Sequence, residues 1–168
     1  MAVEGRSALT RTYLAILLLL GACARPGPDP AASFRAAATP ISSMVFFEQS
    51  RLEGGWVEAA GYPLRRGCAP GAVTFSGGGT SLDGPACYLP LAGRQALAAA
   101  GPGRLSAAGV AYWVLWVDAD YRTAVLGTPA GSFAAVLNRG GPIPPDRLEA
   151  ARRVLAFNGY DLARLAVR

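Results

Sequence analysis

Glycines and prolines divide the body of this sequence into short segments. There are 21 glycines and 13 prolines among 168 residues, and the runs between them have the alternating or continuously apolar character of β-strands. Turn residues at this spacing are typical of strands joined by hairpins. The predicted strands are Gly55–Tyr62, Ala72–Ser76, Ala111–Val117, Thr123–Gly127 and Ser132–Leu137.

The stretch from Gly77 to Gly109 has a weaker strand signal than the segments on either side. Cys87–Leu91 is a candidate strand, whereas Gln95–Ala100 fits a helix or a strand by propensity. The sequence therefore leaves the arrangement of residues 77–109 open.

One helix is predicted near the end of the sequence. Pro144-Pro145-Asp146 suits a helix start, because proline is tolerated in the first turn and an acidic side chain is favoured there. Asn158-Gly159 is typical of a helix end, and Leu162–Val167 follows as a last predicted strand. The apolar stripe of the helix consists of Leu148, Ala151 and Leu155, with Val154 beside them.

Every basic side chain in the sequence is an arginine. Sixteen basic and eleven acidic residues give a formal net charge of +5, without lysine or histidine. The arginines are scattered, whereas nucleic-acid binding requires a clustered basic stripe with stacking aromatic residues. We therefore expect no nucleic-acid partner. A metal site is not expected either, because two cysteines without histidine fall short of a tetrahedral zinc set.

The first 22 residues have the features of an export signal. Arg6 and Arg11 precede the apolar run Tyr13–Leu20, which is too short to cross a bilayer as a helix of ~20 residues. The ending Leu20-Gly21-Ala22-Cys23 resembles the bacterial lipoprotein box, in which the cysteine is lipidated and begins the mature chain. A leader with an incidental cysteine is the alternative.

The lipoprotein resemblance implies a signal peptide over residues 1–22 and a lipid anchor on Cys23. Ala24 follows, and not the aspartate that retains similar lipoproteins at the inner membrane, so the expected location is the outer membrane, facing the periplasm. Residues 23–45 are rich in small residues and proline, which predicts a flexible tether. Residues 46–168 are then the folded domain.

Cys68 and Cys87 remain as a pair once Cys23 is assigned to lipid. In an oxidising periplasm an even pair is read as a disulfide. Two free thiols or a redox pair are the alternatives, although neither cysteine lies in a Cys-x-x-Cys motif. The sequence favours the disulfide.

Three motifs, by their order and spacing, resemble the signature segments of the lipocalins. Gly54-x-Trp56 is similar to the opening motif, Asp120-Tyr121 to the second motif, and Arg139 to the arginine of the third. The last sixty residues look most like the bacterial membrane-anchored lipocalins.

The lipocalin resemblance implies a mainly β fold. This is an up-and-down antiparallel β-barrel of about eight short strands, with a C-terminal α-helix packed outside and a final short strand. It also implies that Arg139 lies across the Trp56 ring at the barrel floor, where the cation–π contact contributes ~0.5–2 kcal/mol. Because lipocalins carry small apolar molecules, the expected partner is a small hydrophobic ligand.

Strand alternation starting from Trp56 places Glu58, Ala60 and Tyr62 on one face of the first strand. If this face lines the barrel, Ala60 leaves space while Glu58 and Tyr62 contact a polar headgroup. The hypothesis is an interior pocket for a fatty acid or a lysophospholipid. The alternative is an interior packed shut, with Glu58 in water. A barrel of that kind would act as a tethered interaction module in the cell envelope.

Catalysis is not expected from this sequence. Asp118 and Asp120 could form an acid–base pair on one strand face, but carboxylates near a turn are more often solvated or structural. No nucleophile–base constellation is visible and no catalytic residue is assigned. Without histidine, ligation of haem by an imidazole is excluded. No cofactor is expected, and the sequence identifies no protein partner.

Overall fold

Antiparallel pairing of neighbouring strands builds one sheet that curls into a nearly closed barrel. The computed structural model describes residues 33–85, 87–90 and 93–168. Its strands there are β1 Gly54–Gly61, β2 Ala72–Ser76, β3 Ser81–Asp83, β4 Gln95–Ala96, β5 Ala98–Ala99, β6 Arg104–Ala107, β7 Val110–Val117, β8 Thr123–Gly127, β9 Ala134–Asn138 and β10 Ala166–Val167. The described residues also contain an α-helix, α1 Pro145–Phe157, and the 3-10 turns Gln49–Leu52 and Leu162–Arg164.

The strands follow one another around the barrel in the order β4-β3-β2-β1-β9-β8-β7-β6-β5. A single residue, Leu97, separates β4 from β5, so these two short strands act as one bent strand that joins the ends of the sheet. The barrel therefore has eight strands, and β10 adds to the edge of β1. The predicted up-and-down antiparallel barrel, its outer helix and its final strand are confirmed.

Apolar side chains form two clusters, one inside the barrel and one beneath the helix. The interior cluster includes Trp56, Phe75, Tyr112, Phe133 and Leu137. The helix cluster includes Ala60, Tyr62, Val125, Val136, Ala151 and Leu155. Strands β8 and β9 contribute to both clusters, so both of their faces are buried. This burial explains why their sequences are continuously apolar.

Helix α1 contacts the barrel through one stripe. Ala151 and Leu155, one turn apart, are fully buried in the helix cluster. Pro145 and Asp146 occupy the first turn as predicted, and Asn158 is the C-cap residue. Across the part of the chain that the structure describes, no helix combines the length and apolar character needed to span a bilayer.

A β-bulge in β1 changes which face its residues occupy. The register with β9 shifts between Glu58 and Ala60, leaving Ala59 as the extra residue. Such a residue interrupts the two-residue alternation of a strand. Trp56 belongs to the interior cluster, whereas Ala60 and Tyr62 belong to the helix cluster. The prediction that Ala60 and Tyr62 share the face of Trp56 is therefore wrong.

The segment that precedes β1 is packed against the outside of the barrel. The ring of Phe34 stacks on that of Tyr62 with centroids 4.7 Å apart, and Arg35 pairs with Tyr160 in an isolated antiparallel bridge. Aromatic stacking and backbone pairing thus fix this segment in place.

These contacts correct the predicted domain boundary. The small residues of the segment 33–45 predict a flexible tether. This prediction is wrong for these residues, because side chains such as Phe34 and Ile41 pack against the helix cluster. Residues 1–32, including the predicted signal peptide and Cys23, lie outside the described residues.

The predicted strand at Cys87–Leu91 is not found in its described part, Cys87–Pro90. The backbone N–H groups of Tyr88 and Leu89 donate to the carboxylate of Glu58, and not to a neighbouring strand. The alternatives for Gln95–Ala100 are resolved in favour of strand by β4 and β5.

The last predicted strand, Leu162–Val167, is shorter than expected. It begins as the 3-10 turn Leu162–Arg164, in which the carboxylate of Asp161 accepts a hydrogen bond from the backbone N–H of Ala163. Only Ala166–Val167 pairs with β1. A local side-chain hydrogen bond therefore competes with strand formation over the first half.

Gly61→Ala should destabilise the barrel, whereas Gly55→Ala on the same strand should not. A Cβ at Gly61 would lie 2.5 Å from Cγ of Tyr88, but one at Gly55 would have no heavy atom within 4 Å. We expect Gly61→Ala to lower the free energy of unfolding by ~1–3 kcal/mol, and Gly55→Ala to change it by less than ~1 kcal/mol. Urea unfolding measures both, and equal midpoints would contradict the packing of Tyr88 on β1.

Candidate functional site

The floor of the barrel is formed where the 3-10 turn Gln49–Leu52 leads into β1. The backbone carbonyl of Leu52, a fully buried residue, accepts a hydrogen bond of 2.8 Å from Nε1 of Trp56. The Trp56 ring meets Phe75 edge-on, with centroids 6.3 Å apart. The indole thus fills the bottom of the interior while its N–H group remains satisfied.

The guanidinium of Arg139 lies over the Trp56 ring and links separate segments. Its Cζ is 4.0 Å from the ring centroid. Nε donates to the carbonyl of Tyr121 and Nη2 to that of Arg51, each at 2.8 Å. Burial lowers the pKa of Arg139, but an arginine stays charged in proteins. The guanidinium therefore contacts one face of the indole and links the end of β9 to two other segments. These are the 3-10 turn Gln49–Leu52, which we call the entry turn, and the β7–β8 turn.

Gly54 leaves room for this arginine. Its φ is +106°, and a Cβ there would lie 3.0 Å from Nη1 of Arg139. A side chain would therefore be both strained and crowded. The Gly-x-Trp spacing has a physical basis here, because the glycine admits the guanidinium that stacks on Trp56.

Tyr121 completes the floor. It has a positive φ of 55°, and its hydroxyl accepts a hydrogen bond of 2.9 Å from the backbone N–H of Glu48. Cζ of Arg51 lies 3.9 Å from its ring centroid. The structure therefore brings Gly54, Trp56, Tyr121 and Arg139 together, as the lipocalin resemblance implies.

The two aspartates of the β7–β8 turn have different surroundings. The Asp118 carboxylate accepts hydrogen bonds from the backbone N–H groups of Arg122 and Thr123. Asp120 forms an ion pair of 2.8 Å with Arg122, and both side chains are more than half exposed. Asp120, which was predicted with the floor motif, thus lies on the surface. The Asp118 carboxylate is hydrogen-bonded to the backbone of the turn. The two carboxylates are therefore not arranged as an acid–base pair.

One buried hydroxyl in the apolar interior has no hydrogen-bond partner. Tyr112 is 1% exposed, and its ring centroid is 5.1 Å from that of Phe133. Oη of Tyr112 has no partner among the described residues, although leaving such a group unpaired costs ~1–3 kcal/mol. Burial raises the pKa of Tyr112. The hydroxyl therefore stays protonated at neutral pH and is able to donate a hydrogen bond.

The segment Cys87–Pro90, which we call the mouth segment, lies near the end of β1 that is opposite the floor, where the Tyr88 side chain is next to Gly61. Cys87, Tyr88 and Leu89 belong to the interior cluster. A disulfide joins Cys87 to Cys68 in the β1–β2 connection, with the Cα atoms 5.5 Å apart. The predicted disulfide is confirmed, and it holds the mouth segment against that connection.

Glu58 fixes the same segment from inside the barrel. Its side chain is fully buried, and Oε1 accepts hydrogen bonds from the backbone N–H groups of Tyr88 at 2.9 Å and Leu89 at 3.3 Å. Oε2 accepts one of 3.2 Å from Gly71. Burial, with a smaller contribution from Glu58, raises the pKa of Tyr88. Glu58 therefore does not point to water, and its oxygens are engaged with backbone.

Ala60 and Tyr62, the other two predicted ligand contacts, lie outside the barrel beneath the helix. Tyr62 stacks between Phe34 and Tyr160, with centroids 4.7 and 5.7 Å away, and its hydroxyl donates to the carbonyl of Asp161 at 3.0 Å. The structure does not bring either residue to the interior. The bulge after Glu58 is the reason.

Sequence reasoning missed Tyr112 and Arg147. Nη1 of Arg147 donates to Oγ1 of Thr123 at 3.0 Å and to Oδ1 of Asn138 at 3.1 Å. Thr123 and Asn138 are buried polar residues in apolar strands, a pattern that signals a partner from elsewhere. Tyr112 similarly carries a hydroxyl group in an otherwise apolar strand. Within the described ranges, no three His, Cys, Asp or Glu side chains form a group able to hold a metal.

Comparison with known proteins finds similarity over part of the chain. Residues 101–168 match the family model described as a Lipocalin-like domain. Temperature-induced lipocalin-1 from Arabidopsis thaliana is 32% identical over 54 residues, which are 32% of this chain and 29% of that protein. The chain thus spans less than a third of the length of this relative.

Two solved structures match about three quarters of the chain at low sequence identity. Lobster apocrustacyanin A1 has 13% identity and a TM-score of 0.47, over 77% of this chain and 88% of that chain. Insecticyanin from the tobacco hornworm Manduca sexta has 15% identity and a TM-score of 0.47, over 77% of this chain and 85% of that chain.

Arg139→Lys should destabilise the fold, because lysine cannot both stack as a plane on Trp56 and donate as a fork to two carbonyls. We expect the free energy of unfolding to fall by ~1–3 kcal/mol. Arg153→Lys is the control, since Arg153 is 79% exposed in its pair with Glu149, and should change it by less than ~0.5 kcal/mol. Urea unfolding followed by tryptophan fluorescence measures both. Wild-type stability in Arg139→Lys would contradict the floor contact.

Proposed function

We propose that this chain is a lipocalin that binds a small hydrophobic ligand inside its barrel. The match of residues 101–168 to the Lipocalin-like domain and the 32% identity to a plant lipocalin over 54 residues support this proposal. The proposed ligand is a fatty acid or a lysophospholipid, and we propose no enzymatic activity. The observation that carries the proposal is the buried Tyr112 hydroxyl without a partner among the described residues. A carboxylate or ester oxygen in the barrel would accept its hydrogen bond.

The surroundings of Tyr112 suit an acyl chain. Leu105 lies opposite Tyr112 on β6, Phe133 packs on its ring, and all three residues belong to the interior cluster. Burial of an alkyl chain against such walls gains ~25 cal/mol per Å² of apolar surface. A site with an unpaired hydroxyl also discriminates against apolar molecules that have no acceptor. The ligand is therefore an amphiphile with an oxygen acceptor.

Entry of a ligand requires movement of the mouth segment in this proposal. Tyr88 and Leu89 occupy the interior cluster, and they are held by the Glu58 carboxylate and by the neighbouring Cys68–Cys87 disulfide. Glu58 is therefore assigned to positioning the mouth segment. Ala60 and Tyr62 have no role in the proposed site.

Tyr112→Phe should weaken ligand binding without destabilising the protein. Displacement of a fluorescent fatty acid from the purified protein should be saturable at micromolar ligand, and Tyr112→Phe should raise Kd by about tenfold through loss of one hydrogen bond. Its free energy of unfolding should be unchanged or higher, because an unpaired buried hydroxyl is removed.

The matched control for this substitution is Tyr160→Phe. The Tyr160 hydroxyl lies outside the barrel and is fully hydrogen-bonded, to the backbone of Thr128 and Phe133, and the pKa of Tyr160 is raised to about 12 by burial. This variant should lose ~1 kcal/mol of stability and keep the wild-type Kd. An absence of saturable displacement in the wild-type protein would refute the interior pocket. An unchanged Kd in Tyr112→Phe would remove the role of Tyr112.

We also propose that the protein is held at the outer membrane through lipid on Cys23 and faces the periplasm. The Leu20-Gly21-Ala22-Cys23 motif and Ala24 support this location. A disulfide between Cys68 and Cys87 is consistent with an oxidising compartment.

Cys23→Ser should release the protein from the membrane fraction, because the lipid would lose its attachment atom. Mass spectrometry of the mature N-terminus should show lipid on Cys23 in the wild-type protein, and fractionation should find the variant soluble. Cys68→Ser is the control and should remain in the membrane fraction. An unmodified Cys23, or cleavage elsewhere, would refute the anchor.

A second candidate function is that of a tethered module for protein–protein interaction. It is favoured by two exposed apolar residues before the floor turn, Val45 at 68% and Phe46 at 90% exposure. Pull-down with the lipidated protein, with Cys23→Ser and with Phe46→Ser separates the functions. A partner that is retained by Tyr112→Phe and lost by Phe46→Ser would favour the interaction module.

A further inference from the structure

A cleft on the outside of the barrel is separate from the interior cluster. Its volume is about 420 Å³, within the range of ~300–1,000 Å³ that is common for small-molecule sites. One wall is formed by Val57 and Ala59 of β1, and the other by residues 140–143 between β9 and α1. Arg168, which follows β10, also lines it. None of these residues belongs to the interior cluster.

The bulge in β1 builds this cleft. Val57 alternates with the inward-facing Trp56, and the extra residue Ala59 has no partner on β9. The backbone carbonyl of Ala59 instead accepts a hydrogen bond of 2.9 Å from the N–H of Arg168. The adjacent pair Ala60–Val167 belongs to the β1–β10 ladder. Strand pairing therefore fixes the backbone of Arg168 beside a small, apolar stretch of wall.

No acidic side chain in the cleft pairs with the guanidinium of Arg168. The Arg168 side chain takes part in no ion pair among the described residues, and its charge acts electrostatically on the Tyr88 hydroxyl. The rest of the lining is apolar side chain or glycine, including Val57 and Ile143. A planar guanidinium at an apolar cleft is suited to a carboxylate, which it binds through two parallel hydrogen bonds.

We propose that this outer cleft binds a medium-chain alkyl carboxylate. The carboxylate pairs with the guanidinium of Arg168, and the alkyl chain lies against Val57, Ala59 and Ile143. Apolar contact and the ion pair act together, so neither a neutral amphiphile nor a short anion should bind as well. The site does not share residues with the proposed interior site and does not depend on it.

Octanoate is the probe that tests the outer cleft. Backbone amide NMR of the purified protein should show saturable shifts at Ala59, Gly141 and Ile143, with a Kd of about 1 mM or lower for a ligand of this size. Octanol keeps the chain and removes the charge, whereas acetate keeps the charge and removes the chain. Each should bind at least about tenfold more weakly than octanoate.

Two substitutions address the two halves of the site. Gly141→Leu should obstruct the cleft, since a Cβ at Gly141 would meet no heavy atom within 4 Å and its φ is not positive. Arg168→Gln removes the cation. Each should raise the octanoate Kd by about tenfold. The controls are Gly55→Leu, at a similarly open glycine, and Arg153→Gln on the exposed face of α1. Both should keep the wild-type Kd.

The outcomes distinguish this site from the interior one. Cleft shifts that persist in Tyr112→Phe and disappear in Arg168→Gln support the proposal. Equal binding of octanol and octanoate, or an unchanged Kd in Arg168→Gln, overturns it. Shifts confined to interior residues such as Tyr112 and Phe133 also overturn the outer site, while they leave the proposed ligand-binding function intact.

Discussion

The contact between Arg139 and Trp56 is the interaction on which the rest of the barrel depends. Arg139 follows β9, Trp56 lies in β1, and these two strands pair although they are far apart in the sequence. The same guanidinium donates to backbone carbonyls of the entry turn and the β7–β8 turn. A single planar cation thus joins segments that are distant in sequence. The barrel interior is bounded at this end by the segments that the guanidinium joins.

The bulge in β1 divides one strand between three environments. Before it, Trp56 and Glu58 face the interior, where Glu58 holds the mouth segment. After it, Ala60 and Tyr62 face the helix. At the bulge, Ala59 contributes to the outer cleft. The two proposed ligand sites therefore lie on opposite faces of the same strand, β1.

Sequence patterns predicted the strands whose burial follows one regular pattern along their whole length. Strands β8 and β9 are buried on both faces, and β7 is buried on one face and half-buried on the other, so their apolar runs identified them directly. The floor residues Gly54, Trp56 and Arg139 were identified because their order and spacing resemble the lipocalin motifs. The structure adds the physical reason, since the guanidinium lies over the indole ring and the glycine leaves room for it. The sequence offered Cys87–Leu91 only as a candidate strand. The structure shows no strand at Cys87–Pro90, because the backbone N–H groups of Tyr88 and Leu89 donate to a carboxylate about thirty residues earlier. Residues 33–45 were predicted to be flexible because most of them are small. Only a few side chains, such as Phe34 and Ile41, hold this segment against the helix cluster.

The sequence by itself predicted the strands, the helix and the cysteine pair, since periodicity and residue type are local properties. The closed barrel and its floor motif were predicted from the resemblance to the lipocalins. Only the tertiary structure decided which side chains face the interior. One extra residue at Ala59 reverses the alternation that the sequence implies, and nothing local to β1 records this reversal, because it is a matter of register against β9. The unpaired hydroxyl of Tyr112 and the lack of an acidic partner for Arg168 in the cleft are likewise consequences of which groups come near them in space.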